Sequence, residues 1–332
     1  MAAAEPRLER LVTRRPLDYR AVVAPVAVVG GWAVLALMNP YFLTVANGLN
    51  IAGQFGILAI VALGELLVIV TGGFDLSVGS VAALATVVGA RAVNALGPLG
   101  LPALALVGAL CGAVNGVLIA HFRVQPVIAT LGSMLGARGL ALLLSDGGQT
   151  VALRPDIDLM PLGYGHVAGV PGTFLWAAGL AVAATVFTRR IRLGRRLYMI
   201  GSHAAAAELV GVPVRSTLVW AYALSGLSSG LAGLLLLSRA GAGLPTEGSG
   251  LELSAIASAV IGGAALTGGT GSPPSVFLGA FFIQSLLNGL NLSGISPFVA
   301  ELVLGSVIVL AGLLDFAMRR IGDGPRRPSW GY

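Results

Sequence analysis

Long apolar runs recur from residue 21 to residue 316 and leave this chain one environment to fold in. A helix needs about 20 apolar residues to cross a bilayer. The runs Ala21–Met38, Leu49–Val70, Val78–Ala95, Leu101–Ala120, Pro126–Leu144, Thr173–Thr188, Ser216–Leu237, Leu253–Leu266, Ser275–Leu292 and Pro297–Phe316 reach or approach that length. Of 332 residues, 56% are hydrophobic and 10% charged, against about 25% charged in soluble domains. Too few polar side chains exist to cover a globule in water. The expected fold class is an all-α integral membrane protein of about ten transmembrane helices. Ala21–Met38 exceeds the roughly 7–15 residues of a signal-peptide core and reads as a retained first span.

The apolar pattern breaks most sharply at Gly72–Ser80, Gly-Gly-Phe-Asp-Leu-Ser-Val-Gly-Ser. Lipid cannot hydrogen-bond an opened backbone, so such a break must be covered by protein or line a cavity. An acid there is costly unless it is paired or functional. The eighth run is short and ends in Gly262-Gly263, then Gly268-Gly269-Thr270-Gly271, which predicts a second broken or re-entrant helix. Phe74-Asp-Leu-Ser resembles Leu251-Glu-Leu-Ser, five spans later. A shift of five spans inverts the orientation, the pattern of an inverted-topology repeat.

All basic residues are arginine: 20 Arg and no Lys, with a formal charge of +6. A phosphate-binding loop of the Walker type needs a lysine, so ATP hydrolysis by that route is excluded. Cys111 is the single cysteine, and three scattered histidines (His121, His166, His203) give no metal spacing. No metal site is expected. Nothing in the sequence points to nucleic acid.

With ten spans, sixteen arginines fall on the side of the termini: Arg7, Arg10, Arg14, Arg15, Arg20, Arg123, Arg189, Arg190, Arg192, Arg195, Arg196, Arg215, Arg319, Arg320, Arg326 and Arg327. Arg91, Arg154 and Arg239 fall opposite, and Arg138 lies inside a span. Positive residues concentrate in cytoplasmic loops, so both termini are expected in the cytoplasm. The domain reading is a tail over 1–20, a transmembrane domain over 21–318 and a tail over 319–332. The outer loop 145–171 offers a surface for an external partner.

The largest cytoplasmic loop, 189–215, contains Ser202, a helix-capping residue type, the helix formers Ala204–Val210, and the stop signals Gly211 and Pro213. A short, small-sided helix there either docks on a partner or is a solvated linker.

Four stretches carry a specific resemblance: Thr71–Ser80, Gly201–Val212, Gly248–Ser272 and Asn288–Phe298. In that order and spacing the chain resembles the ribose-type sugar permeases of ATP-binding-cassette (ABC) importers over about residues 45–316. The resemblance implies two permease subunits, as a homodimer, in the bacterial cytoplasmic membrane. It implies a separate cytoplasmic ATPase that binds ATP and Mg, with no cofactor in this chain. It also implies an external sugar-binding protein, and a coupling helix near Ser202, His203, Ala206, Ala207, Glu208 and Gly211. The chain departs from the family in having Ala204 and Ala205 where an acid is usual, and Glu65 where a neutral residue is expected.

Residues expected at the translocation path or gate are Gln54, Glu65, Gly72, Gly73, Asp75, Ser77 and Asn115. Asp75 and Ser77 either cap the next helix or line the path. Gln54, Glu65 and Asn115 either bond between helices or touch the solute, and Glu65 is further placed to pair with Arg138. Glu252 and Ser254 are expected to cap, and Gly262 and Gly263 to permit tight packing. An ion-coupled transporter using Glu65 or Asp75 is the competing reading. An intramembrane enzyme is disfavoured, because the serines lack a paired histidine at membrane depth.

Overall fold

The computed structural model describes residues 19–322. The tails 1–18 and 323–332, with Arg7, Arg10, Arg14, Arg15, Arg326 and Arg327, lie outside the described residues. The helices are α1 (Tyr19–Met38), α2 (Val45–Ile69), α3 (Val78–Leu96), α4 (Pro102–Ala120), α5 (Pro126–Leu144), α6 (Met160–Tyr164), α7 (Gly172–Arg190), α8 (Arg192–Leu209), α9 (Val214–Ala240), α10 (Leu251–Ile261), α11 (Pro273–Leu292) and α12 (Pro297–Gly322). Proline opens α4, α5, α11 and α12, where its missing N–H has no helical partner to lose. Gly241, at φ 63°, closes α9.

Among the described residues, seven helices are long and apolar enough to cross a membrane: α2, α3, α4, α5, α7, α9 and α11. Shorter apolar helical segments occupy Val28–Met38, Leu251–Ile261 and Pro297–Leu310. The protein is thus an all-α integral membrane protein. The eighth expected span, Leu253–Leu266, is corrected to α10, which has 11 residues. At 1.5 Å per residue it covers about half of the roughly 30 Å hydrocarbon core. The remaining crossing is irregular chain.

The helices run alternately between two ends. One end holds Arg189, Arg190, Arg195 and Arg215 with the α8 hairpin, and is called here the arginine-rich end. The other, the hairpin end, holds short strand pairs, Val151–Ala152 with Ala242–Gly243 and His166–Val167 with Val170–Pro171. There Arg91 pairs with Asp146 at 2.9 Å and Arg154 with Asp156 at 2.8 Å. The Arg154 hydrogen bonds hold the Asp156 carboxyl below the usual aspartate range.

Helix α2 is the axis of the fold and packs against α7, α9, α10 and α11. Phe55 on α2 anchors an aromatic cluster, with ring centroids 4.7 Å from Phe277 and 5.4 Å from Phe281. The tightest helix pair is α4 with α9. A Cβ on Gly108 would lie 2.2 Å from the Gly226 carbonyl, and one on Gly112 would lie 2.1 Å from that of Tyr222. Helices associate in lipid through such close backbone approach, because hydrophobic burial drives little there.

The packing repeats. Helix α3 packs on α9 as α10 packs on α2, and α4 packs on α9 as α11 packs on α2. Helix α3 meets α4 and α5 as α10 meets α11 and α12. Because α2 and α9 run in opposite directions, the two halves are related by inversion. The first helix of each half departs from the rule: α1 packs on α11 and α7 on α2.

Candidate functional site

The first break begins where α2 ends. Gly72, at φ 87°, turns the chain back, and residues 73–77 climb beside the last turns of α2. The Asp75 N–H donates to Glu65 Oε1 at 3.1 Å. Asp75 Oδ1 accepts from the Ser77 N–H at 3.1 Å and from Ser77 Oγ at 2.5 Å, and Oδ2 accepts from Ser225 Oγ at 3.0 Å. Asn115 donates to Ser77 Oγ at 3.0 Å and accepts from Ser133 Oγ. Tyr222 donates to the Phe74 carbonyl at 3.4 Å. Five segments are thereby tied through one polar network: α2, the break, α4, α5 and α9. Its core is sealed, with Glu65 and Asn115 at 0% exposure and Asp75 and Ser77 at 1%. Of the expected path residues, Glu65, Asp75, Ser77 and Asn115 meet here. Gly72 and Gly73 form the turn beneath them. Gln54 lies elsewhere, bonded to Asn50 and to Gln284 of α11.

The second break precedes α10. Residues 242–250 leave the hairpin end and run down alongside α3. The Leu244 N–H donates to Thr86 Oγ1 at 3.0 Å. Arg138 on α5 donates to the carbonyls of Pro245 at 2.8 Å and Glu247 at 3.0 Å, and to Ser249 Oγ at 3.2 Å. This corrects the expected Glu65–Arg138 pair: Arg138 satisfies opened backbone that lipid cannot, and Glu65 binds the first break. The expected capping holds for Glu252, which reaches back to the N-cap residue of α10, and is corrected for Ser254, which donates instead of accepting. Glu252 Oε1 accepts from the Gly250 N–H, behind it in the chain, and Ser254 Oγ donates to the Gly250 carbonyl. Gly262 presses on α11, where a Cβ would lie 2.6 Å from the Val276 Cα, and Gly263 turns at φ 81°.

The two breaks touch each other. A Cβ on Gly79, in the first turn of α3, would lie 2.2 Å from the Gly248 carbonyl and 2.4 Å from Glu252 Oε2. The Glu252 carboxylate therefore sits over the start of α3, where the helix dipole favours a negative charge.

At the arginine-rich end, α8 is two helices joined at His203, whose φ of −165° and ψ of 95° are extended. His203 Nδ1 accepts from the Ala206 N–H at 3.2 Å and caps the second piece. This replaces the expected cap by Ser202, whose Oγ donates to the Tyr198 carbonyl instead. The tip is open, with Leu209 89% and Val210 70% exposed. Gly211 closes it at φ 81°, while Ala207 is buried beneath it. Behind the tip, a Cβ on Gly201 would lie 1.9 Å from the Val70 carbonyl, which also accepts the Gly269 N–H at 2.9 Å. Tyr198 donates to the Gly271 carbonyl at 3.0 Å. Thus the hairpin, the end of α2 and the chain leaving α10 meet in one glycine node.

Sequence reading missed Arg138 as a backbone ligand, and missed Ser133, Tyr222 and Ser225. An arginine within an apolar run was the available signal for Arg138. The glycines of α4, four residues apart at 108, 112 and 116, were a signal for the α4–α9 contact.

Residues 47–312 match the family described as branched-chain amino acid transport system / permease component. The ribose import permease of Escherichia coli strain K12 is 38% identical over 307 residues, covering 90% of this chain and 94% of that protein. The D-allose transport system permease of the same organism is 34% identical over 287 residues, covering 85% and 87%. The autoinducer 2 import system permease of Klebsiella pneumoniae is 36% identical over 310 residues, covering 92% and 90%. No solved structure matches the chain. The chain belongs to the branched-chain amino acid transport system / permease component family.

Proposed function

We propose that this chain is the membrane subunit of a bacterial ABC importer and carries a pentose, hexose or similar sugar-like solute. The named roles of the ribose, allose and autoinducer 2 relatives support that solute class. Two copies assemble in the cytoplasmic membrane. A separate ATPase binds ATP and Mg on the arginine-rich side, which the arginine excess assigns to the cytoplasm together with both termini. An extracytoplasmic binding protein delivers solute at the hairpin end.

The observation that carries this reading is the α8 tip. Its exposed Leu209 and Val210 lie beyond the spans, on a hairpin rooted through Gly201 in both α2 and the chain after α10. An exposed apolar tip on a polar hairpin fits docking on another protein. A push on it reaches both discontinuous segments through backbone contacts that leave no slack. In this scheme the Asp75 network holds one side of the gate, and Ser202, His203, Ala206, Ala207, Glu208 and Gly211 form the ATPase-facing hairpin.

The ion-coupled reading is not favoured, since Glu65 and Asp75 are sealed from solvent and a carrier needs its acid to meet water. The test is uptake in proteoliposomes containing this chain, its ATPase and its binding protein. Uptake is expected only with ATP and Mg on the ATPase side. Uptake by this chain alone under a proton gradient would refute the proposal.

A further inference from the structure

The densest run of arginine in the chain sits where α7 turns into α8. Arg189, Arg190, Arg192, Arg195 and Arg196 fall within eight residues, and no acid stands between Asp158 and Glu208. Among the described residues, none of these five arginines pairs with an acid. Arg189, Arg190, Arg192 and Arg195 are exposed. Like charges this close repel, and a negatively charged partner relieves the repulsion.

A pocket of about 450 Å³ opens beside the cluster, between the last turn of α7, the first piece of α8 and the start of α11. Arg189, Arg195, Tyr198 and Ser272 line it. Arg195 is held in place there: its Nη1 donates to the Arg189 carbonyl at 3.3 Å and to the Arg190 carbonyl at 3.1 Å. Among the described residues, its other N–H groups and those of Arg189 find no acceptor. Helices α7 and α11 are both spans, and the pocket lies at their arginine-rich ends, the depth of lipid headgroups. Exposed apolar side chains flank the arginines: Val186 one turn before Arg189 and Arg190, Ile191 between the two helices, and Met199 one turn after Arg195. On α8, Arg192, Arg195, Arg196 and Met199 share one face, while Gly194, Leu197 and Ile200 are buried on the other. A basic amphipathic helix at the end of a span is built to lie in the membrane interface.

We propose that this pocket seats the headgroup of an anionic phospholipid from the leaflet on the arginine-rich side. The phosphate accepts from Arg189 and from the free N–H groups of Arg195. The glycerol and upper acyl chains lie against Val186, Ile191 and Met199. Basic pockets between spans on the cytoplasmic side suit such headgroups. In the proposed complex the ATPase docks at the α8 tip, beyond His203, which leaves this corner to lipid. Tyr198 lines the pocket and donates to the Gly271 carbonyl at 3.0 Å, so a seated lipid braces the glycine node from outside. The lipid seat goes beyond the importer reading and depends on neither the solute nor the ATPase.

The test titrates the purified full-length chain, in non-ionic detergent, with dioleoyl phosphatidylglycerol or dioleoyl phosphatidylcholine and reads bound lipid by native mass spectrometry. Phosphatidylglycerol should bind about thirtyfold more tightly, at about fivefold for each arginine beside an anionic headgroup. Arg189→Gln with Arg195→Gln should abolish that preference, and Arg189→Lys with Arg195→Lys, which keeps the charge, should retain most of it. Arg189→Gln alone breaks no hydrogen bond within the protein and should cost about fivefold. Arg123→Gln with Arg215→Gln removes the same charge from exposed positions at the same end and should leave binding unchanged. Equal binding of the two lipids, or equal losses in the two glutamine pairs, would overturn the proposal. So would displacement of the lipid by millimolar inorganic phosphate, which would make the pocket a site for free anions. Lost co-purification with the ATPase in the Arg189 and Arg195 glutamine pair, beside unchanged lipid binding, would assign the corner to the ATPase instead.

Discussion

Replacing Gly248 by alanine tests the closest contact between the two breaks. Gly248 sits at φ 73°, and a Cβ there would lie 2.7 Å from the Gly79 carbonyl oxygen. Two terms add. A left-handed backbone costs a residue with a Cβ about 1–2 kcal/mol, and forcing atoms into a packed contact costs about 1–3 kcal/mol. Gly250 separates them. It has a similar φ of 79° with nothing within 4 Å of its Cβ position, so Gly250→Ala should carry the backbone term alone. Gly79→Ala should carry the steric term alone, because α3 is helical there. The assay is reversible denaturant unfolding of the purified permease in detergent. Gly248→Ala should lose about 1–3 kcal/mol more than Gly250→Ala. Equal losses at 248 and 250, or no loss at 79, would refute the close approach of the breaks.

Removing Arg138 should be severe. Arg138→Met leaves the Pro245 and Glu247 carbonyls without a donor, about 1–3 kcal/mol each, and Arg138→Lys should restore part of the loss in the same unfolding assay. Asp75→Asn retains the Oδ1 acceptor for Ser77 and loses the one for Ser225, so it should cost about 1 kcal/mol and still assemble, whereas Asp75→Ala should cost several times more. A large loss for Asn would contradict the network as drawn. Gly211→Arg should abolish co-purification with the ATPase while insertion stays normal, because it puts a bulky charge beside Leu209 and Val210. Cysteines at positions 195 and 156 should react with impermeant reagents from opposite faces of the membrane, and reaction from one face would contradict the span arrangement.

The break at Gly72–Ser80 was legible because an acid and two serines interrupt apolar sequence, and such an interruption has few physical explanations. The half-length of α10 was legible in the glycines that follow it. The inverted repeat left its trace in two acid–Leu–Ser turns, although the structure uses the acids differently: Asp75 binds forward to Ser77 and Glu252 back to Gly250. Arg138 was misassigned because its partner depends on where α5 lies against residues 244–250. That placement comes from three-dimensional packing, and no local pattern records it. His203 was overlooked as a cap because serine is the commoner capping residue and stands next to it. Ser225 and Tyr222 are ordinary members of an apolar helix until Asp75 is brought against them.

The coupling route makes the most direct demand on measurement. The tightest contact of the α8 hairpin with the end of α2 is at Gly201, whose Cα lies against the Val70 carbonyl and the Gly269 backbone. The decisive experiment measures solute uptake and ATP hydrolysis together, in the same proteoliposomes, for the native complex and for Gly201→Ala. A Cβ there must spread the node, so hydrolysis should persist while solute carried per ATP falls sharply. An unchanged ratio of uptake to hydrolysis in a variant that assembles normally would contradict the account.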